Sequence, residues 1–179
     1  MPRYVALLRA VNVGGRVVRM ERLRQVFEET GLTGVSTHIA SGNVLFTAGR
    51  GRAAVLETKI EKALEAALGY PVAAFLRTPA ELAAVAAQRP FPDEDLGEAH
   101  GVYVGFLKEP LSTERHDLVH GFRTPTDEFA VSGREVWWLC RIRSSDSEFS
   151  GARLEKALGL SATFRNISTV RALAAKLAG

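Results

Sequence analysis

The feature that most constrains the fold is a pair of similar segments that occurs, in the same order, in both halves of the chain. YVALL, beginning at Tyr4, resembles YVGFL, beginning at Tyr103. ASGNVLF, beginning at Ala40, resembles VSGREVWW, beginning at Val131. Internal similarity of this kind is typical of a duplicated structural unit. The sequence therefore predicts that one supersecondary unit occurs twice.

The first half of the chain alternates strand-like and helix-like patterns. Its predicted elements are a strand over 4–8, a helix over 20–30, strands over 35–40 and 44–47, a helix over 56–67 and a strand over 72–76. The strands are short apolar runs, and the helices carry apolar residues every three or four positions. Gly31 is typical of a left-handed helix cap, and Ser41-Gly42-Asn43 of a hairpin turn. The order β-α-β-β-α-β is that of a ferredoxin-like unit.

The second half repeats this order. Its predicted elements are a strand over 102–107, a helix over 112–121, a hairpin of 128–131 with 135–139, a helix over 152–158 and a short strand over 161–164. Between the halves, Thr78-Pro79-Ala80-Glu81 is typical of a capping box that opens a helix ending near Gln88. The acidic, Pro-containing stretch 89–101 then indicates a linker. Asn166 is expected to cap a closing helix.

These patterns predict an α+β protein of two tandem ferredoxin-like (βαββαβ) units packed together, with extra helices at the linker and the C-terminus. The first unit is predicted over 1–78, the connecting helix and linker over 79–100, and the second unit with its C-terminal helix over 101–179. The 179 residues are 46% hydrophobic and 24% charged, which is the composition of an ordinary globular protein.

Charge and cysteine content restrict the class of function. The net charge is +3 without a Lys/Arg block, so the sequence gives only weak support for nucleic-acid binding. Cys140 is the single cysteine, which excludes an internal disulfide and fits a reducing cytoplasm. No signal peptide or membrane span is predicted, so we expect a cytoplasmic protein.

His116 and His120 have helical spacing without a third ligand, so no metal is predicted, and no cofactor signature is present.

Three motifs stand out: LRAVNVGG at 8–15, SGNVLF at 41–46 and TFRNISTV at 163–170. Together they resemble a bacterial family known as domain-of-unknown-function family 1697. The resemblance implies two ferredoxin-like units in tandem and brings no established activity. The chain departs from the family pattern at Ala10-Val11, where Gly-Ile is usual, and at Ile167, where Trp is usual.

The first two motifs are expected to converge. In a ferredoxin-like sheet the first and third strands are antiparallel neighbours, so the exit of the first strand lies beside the entry of the third. Glycines there let backbone N–H groups approach a ligand, and the following helix presents its positive end. We expect a small anionic ligand that bears phosphate or carboxylate, a class that includes nucleotide-like molecules. The candidate ligand-binding residues are Arg9, Asn12, Gly14, Gly15, Arg16, Ser41, Gly42, Asn43, Arg165 and Asn166.

The sequence leaves three alternatives open. In the first, the glycines only form a tight turn, Asn43 hydrogen-bonds its own hairpin and Arg9 pairs with a carboxylate. In the second, sheet aromatics such as Tyr103 or one tryptophan of Trp137-Trp138 stack on single-stranded nucleic acid. In the third, the chain is a structural or interaction protein without a small ligand. The sequence assigns no reaction and no oligomeric state, and it leaves open whether Arg165 and Asn166 join the edge formed by the first two motifs.

Overall fold

The structure is a computed structural model that describes residues 1–9, 18–38 and 42–179. The first half contains β1 (Arg3–Leu8), α1 (Met20–Glu29), β2 (Thr33–Thr37), β3 (Asn43–Thr47), α2 (Ala53–Leu68) and β4 (Ala74–Arg77). The connection contains α3 (Pro79–Ala87) and α4 (Asp93–Glu98). The second half contains β5 (Gly101–Phe106), α5 (Thr113–His120), β6 (Asp127–Ser132), β7 (Glu135–Cys140), α6 (Gly151–Leu158), β8 (Thr163–Asn166) and α7 (Ile167–Ala178).

The strands form two four-stranded antiparallel sheets. The first has the order β2-β3-β1-β4 and the second the order β6-β7-β5-β8. Each half therefore has the strand order and the βαββαβ sequence of a ferredoxin-like unit. The predicted fold class, two tandem units of α+β type, is confirmed.

Contacts in the structure divide the chain into two units. Unit 1 comprises residues 1–84 and 172–179, and unit 2 comprises residues 85–171. The prediction assigned the whole closing helix to the second unit, whereas the structure groups its last turns with unit 1. In unit 1, Arg3 Nη1 donates hydrogen bonds to the carbonyls of Leu177 (2.9 Å) and Gly179 (2.7 Å). These bonds attach the end of α7 to β1.

The core of unit 1 forms where one sheet face meets α1 and α2. Alternate residues of β1, namely Tyr4, Ala6 and Leu8, share a face with Val44 and Phe46 of β3, because side chains directly opposite in an antiparallel pair point the same way. Four fully buried helix residues complete this core: Leu23, Phe27, Ile60 and Leu64. The helical periodicity and the strand alternation therefore produce one packed layer.

In unit 2, the neighbouring tryptophans lie on opposite faces of the sheet, as their adjacency requires. Trp138 packs in an aromatic cluster on the face that α5 and α6 cover, with its ring 4.8 Å from Phe149 and 4.9 Å from Tyr103. Trp137 shares the opposite face with its cross-strand partner Val104. Both tryptophans are buried, with 1% of Trp137 and 6% of Trp138 exposed.

Corresponding contacts in the two units support the predicted duplication. On α2, Glu61 Oε2 accepts a hydrogen bond from the N–H of Ala74 at the start of β4 (3.0 Å). On α6, Glu155 Oε2 accepts one from the N–H of Ala162, which precedes β8 (3.1 Å). Both acceptors lie beside edge strands, whose outer N–H groups lack a neighbouring strand. In each unit, therefore, a glutamate of the second helix accepts a hydrogen bond from a backbone N–H at the edge strand.

The connection between the halves is only partly as predicted. The capping box is confirmed, because the Thr78 N–H donates to Glu81 Oε1 (3.0 Å) and the Glu81 N–H donates to Thr78 Oγ1 (3.2 Å). The acidic stretch, where the sequence indicates a linker, contains the short helix α4. Asp95 and Glu98 of α4 pair with Arg141, at 2.8 and 3.1 Å. These contacts stabilise a helix of six residues, which has little stability of its own.

Candidate functional site

The end of β1 lies beside the start of β3, as expected from the two motifs. Leu7 pairs with Asn43, and the Leu8 N–H donates to the Gly42 carbonyl (2.9 Å). Gly42 has a φ of +77°, a left-handed conformation that glycine adopts without strain. At this end of the sheet the last residues of β1 meet the first residues of β3. We call this end, formed by the described residues Leu8, Arg9, Gly42 and Asn43, the β1–β3 edge. Five predicted site residues lie outside the described part of the chain: Asn12, Gly14, Gly15, Arg16 and Ser41.

Arg9 follows β1 and is half-buried. Its backbone N–H donates to the carbonyl of Ala73, just before β4 (3.0 Å). The sheet order places β1 between β3 and β4, so Arg9 stands at the middle of this end of the sheet. This anchor fixes the position of Arg9, which follows Leu8, the residue bonded to Gly42.

Asn43 is fully buried at the first position of β3. Its Nδ2 donates to the His38 carbonyl (3.0 Å), and the His38 N–H donates to the Asn43 carbonyl (3.0 Å). Asn43 therefore closes the β2–β3 connection, which is the hairpin role that the sequence left open for it. The amide of Asn43 thus provides a donor for the His38 carbonyl, which lies beyond the end of β2.

His38 contributes a neutral imidazole to the same region. Burial lowers the pKa of His38, and the nearby Lys176 cation of α7 lowers it further. Its Nε2 is buried and has no hydrogen-bond partner among the described residues. At neutral pH, His38 therefore adds a polar group without adding charge.

The first turn of α1 is the other described part of this region. Val18, just before the helix, is buried in the same core as Leu8 and Val44. The N-cap position is Arg19, whose side chain makes no capping hydrogen bond. The N-cap residue itself therefore supplies no side-chain oxygen to the first N–H groups of the helix, a role that Ser, Thr or Asp usually has.

Arg165 and Asn166 have local contacts in unit 2. Arg165 is buried on β8, opposite Val104, and its Nη1 donates to Thr163 Oγ1 (2.7 Å) and to the Phe164 carbonyl (2.9 Å). Burial lowers the pKa of Arg165 to about 10. Asn166 is exposed, and its Oδ1 accepts from the N–H and hydroxyl of Ser168 (both 2.9 Å), so it caps α7 as predicted.

Arg165 has a counterpart in unit 1 that the sequence did not reveal. Arg77 of β4 pairs with Val5 as Arg165 of β8 pairs with Val104. Arg77 is also buried, and its Nη1 donates to the carbonyl of the preceding Leu76 (2.9 Å). An arginine at the end of the apolar run AAFLR was the available signal. A buried arginine therefore occupies the same position of the last strand in both units, which indicates that the duplicated fold sets the position of Arg165.

A buried carboxylate was also missed. Asp127, at the start of β6, accepts hydrogen bonds from four side chains: Thr124 Oγ1 (2.7 Å), Thr126 Oγ1 (2.9 Å), Trp138 Nε1 (2.8 Å) and Ser147 Oγ (2.9 Å). Burial by itself raises the pKa of Asp127, but these hydrogen bonds outweigh it and bring the pKa below the ordinary value. The segment TPTD before a strand was the only local signal.

The edge of unit 2 that corresponds to the β1–β3 edge lies entirely within the described residues. The Leu107 N–H donates to the Arg134 carbonyl (2.9 Å), which matches the bond from Leu8 to Gly42. A cavity of about 350 Å³ opens there, and Lys108 and Arg115 are among its lining residues. Lys108 occupies the place that Arg9 has in unit 1. The same end of each sheet therefore carries a basic residue just beyond the first strand, Arg9 directly after β1 and Lys108 one residue further on after β5.

A family model, described as "Protein of unknown function (DUF1697)", matches residues 1–137 of the chain. The chain belongs to the DUF1697 family. The matched region contains the first two motifs and ends before the third, at 163–170. The family has no assigned activity. The function of this DUF1697 protein must therefore be argued from the geometry of its own site.

The fold of this DUF1697 protein also occurs in a solved structure. A conserved bacterial protein from Streptococcus pneumoniae is similar to it, with a TM-score of 0.77 and 23% sequence identity. The similarity covers 100% of this chain and 99% of the other. It supports the two-unit fold alone. No curated protein matches the chain.

Three further observations concern other kinds of site in this DUF1697 protein. The described residues contain no group of three or more His, Cys, Asp and Glu side chains that could hold a metal ion. None of the helices that the structure describes has the length and apolar character needed to cross a bilayer. Cys140 is buried, and burial raises the pKa of its thiol, which favours the unreactive protonated form.

Proposed function

We propose that this protein binds a small anionic ligand, bearing phosphate or carboxylate, at the β1–β3 edge. The observation that carries the proposal is the hydrogen bond from the Leu8 N–H to the Gly42 carbonyl, which brings the two motifs together beside Arg9. An arginine next to a glycine turn is a common arrangement for anions, because backbone N–H groups and a guanidinium can both approach them.

The local electrostatics support this choice. The half-buried Arg9, the positive end of the α1 dipole, where the Arg19 side chain makes no capping bond, and Lys176 near His38 all favour negative charge. In unit 2, the corresponding cavity is lined by two cationic residues, Lys108 and Arg115, and one anionic residue, Glu109, so the charged groups around this open space have a net charge of one positive unit. A duplicated unit with a basic edge in both copies supports an anion as the ligand.

The nucleic-acid alternative has less support. Stacking on bases requires aromatic rings exposed on a sheet face. Tyr4, Trp137 and Trp138 are buried, and the half-buried Tyr103 packs against Trp138. These rings stabilise the two cores and offer little surface for a base.

Arg9→Gln is expected to remove the stabilisation that an anionic ligand provides. A ligand at about a hundred times its Kd stabilises the folded state by about 2.7 kcal/mol. For a chain of this length, that energy raises the melting temperature by roughly 5–10 °C. Thermal unfolding is measured with inorganic phosphate, pyrophosphate, AMP and citrate, each compared with potassium chloride at equal ionic strength. The wild type is expected to respond to at least one of these anions, and Arg9→Gln is not.

Arg50→Gln is the matched control. Arg50 is exposed and follows β3, at the end of the sheet opposite to the β1–β3 edge, and its replacement removes the same charge. The control should keep the full shift in melting temperature. An equal loss in both variants indicates a general charge effect and contradicts the proposed site. A wild type that responds to none of the anions contradicts the proposed function itself.

A further inference from the structure

Unit 2 contains a second cavity, of about 260 Å³, that is separate from the cavity beside Lys108 and Arg115. Its apolar walls come from Phe91, Leu96, Val102, Trp137 and Ile167. Val102 and Trp137 belong to the sheet face opposite to the aromatic cluster of Trp138. Drug-sized ligands usually occupy cavities of roughly 300–1,000 Å³, so the occupant of this one is smaller.

The indole of Trp137 has an unusual environment in this wall. Only 1% of the residue is exposed, and its Nε1 is buried without a hydrogen-bond partner among the described residues. Its neighbour Trp138 donates to Asp127 at 2.8 Å, so the two indoles differ sharply. Buried indole N–H groups normally find an acceptor, and leaving one without an acceptor is unfavourable. A ligand that brings an oxygen to Trp137 would satisfy this group.

Two exposed arginines lie at the rim of the cavity. Arg89 Nη1 donates to the carbonyls of Ala86 (3.4 Å) and Gln88 (3.0 Å), and Arg171 is on the first turns of α7. Within residues 1–9, 18–38 and 42–179, neither arginine forms an ion pair with a carboxylate. Two such cations above an apolar cavity favour a ligand with one anionic group and an apolar body.

We infer that this cavity is a binding site for a small monocarboxylate with an aromatic or branched aliphatic body, whose carboxylate lies between the Trp137 indole N–H and the rim arginines. The apolar body fills the space between Phe91, Leu96 and Ile167. The site is independent of the β1–β3 edge, because all of its residues belong to unit 2 and none of them is a candidate residue of that edge.

The two tryptophans provide a direct test in the wild-type protein. Each gives one indole N–H cross-peak in a proton–nitrogen correlation spectrum, and Trp137→Phe assigns them. Phenylacetate, 4-methylpentanoate and indole-3-acetate are titrated separately. At least one probe should shift the Trp137 cross-peak downfield, because a new hydrogen bond deshields the proton, while the cross-peak of Trp138, already bonded to Asp127, stays in place. Phenylacetamide, which lacks the charge, should bind about tenfold more weakly than phenylacetate.

Arg171→Gln should weaken binding of the responding probe about fivefold, as expected for the loss of one exposed charge partner. Arg143→Gln, which removes an exposed arginine of unit 2 that pairs with Asp146, is the matched control and should bind like the wild type. Arg9→Gln should also leave the Trp137 response unchanged, which separates this site from the proposed function. The inference is overturned by an unmoved Trp137 cross-peak with all three probes, by equal movement of both cross-peaks, or by equal binding in Arg171→Gln and Arg143→Gln.

Discussion

Asp127→Ala is expected to lower the free energy of unfolding by about 4 kcal/mol, which is the largest effect that we expect from any single substitution. The carboxylate belongs to a residue that is 1% exposed, and it accepts four side-chain hydrogen bonds, from Thr124, Thr126, Trp138 and Ser147. Alanine leaves these donors without their acceptor inside unit 2. Hydrogen bonds to a charged group contribute about 1.5–3 kcal/mol each, and they do not add fully. Urea unfolding followed by tryptophan fluorescence measures the loss.

Asp146→Ala is the matched control for this measurement. Asp146 is an acidic residue of the same unit, but it is exposed and pairs with the exposed Arg143. Exposed ion pairs contribute about 0–1 kcal/mol, so the control should remain close to the wild type. Equal stability of the two variants would mean that the Asp127 hydrogen bonds contribute nothing net.

The Asp127 contribution should also depend on pH. The hydrogen bonds lower the folded-state pKa below the ordinary value of 3.8, so the folded protein holds the proton less tightly than the unfolded chain does. The resulting stability is fully present above the ordinary value and is lost as the pH falls through the lower folded-state pKa. The difference in stability between the wild type and Asp127→Asn, which cannot titrate, should therefore shrink below about pH 4. A difference that stays constant at lower pH would contradict this linkage.

Asn43→Ala is expected to lower the free energy of unfolding by about 2–3 kcal/mol. Asn43 is fully buried, and its removal leaves the His38 carbonyl without the Nδ2 donor and opens a void beneath the hairpin. Asn166→Ala is the control from the third motif, because Asn166 is exposed and caps α7. Loss of an N-cap costs about 1 kcal/mol. Chemical unfolding of both variants should rank Asn43 as clearly more important.

The stability ranking of these variants bears on the proposed function as well. If Asn43→Ala is strongly destabilised, its ligand response cannot be compared with that of the wild type at the same temperature. Arg9→Gln is the better test, because Arg9 is only half-buried and its backbone bond to Ala73 does not depend on the side chain. Equal stability losses in the Asn43 and Asn166 variants would argue against the hairpin-closing role of Asn43.

Several elements could be predicted because their signals are local. Helix α1 follows from apolar spacing and ends before Gly31, which has a φ of +89°. The capping box at Thr78 depends on two residues three positions apart, so it can be recognised without tertiary structure. The pairing of β1 with β3 follows from topology once the order of elements is known. These signals are sufficient to predict that the end of β1 meets the turn at Gly42.

Other features could not be predicted because they depend on residues distant in sequence. The helix α4 lies in a stretch with linker composition, and it is stabilised by pairs between its acidic residues and Arg141, more than forty positions away. Asp127 gains its role from Ser147, twenty positions further along the chain, and from Trp138. No local pattern shows that four donors will meet one carboxylate. The same holds for the indole of Trp137, whose surroundings come from several elements of unit 2.

The strands and helices of the two repeated units, their duplication and the strand order of each sheet follow from the sequence, because hydrophobic periodicity, turn residues and the short connections between elements act over a few positions. Which polar groups are buried, and what satisfies them, depends on the tertiary fold. It made Asn43 a hairpin contact, gave Asp127 four donors and left the indole of Trp137 in an apolar wall. The physical reason is that the free energy of a buried polar group depends on its partners in space, and those partners come from several elements at once.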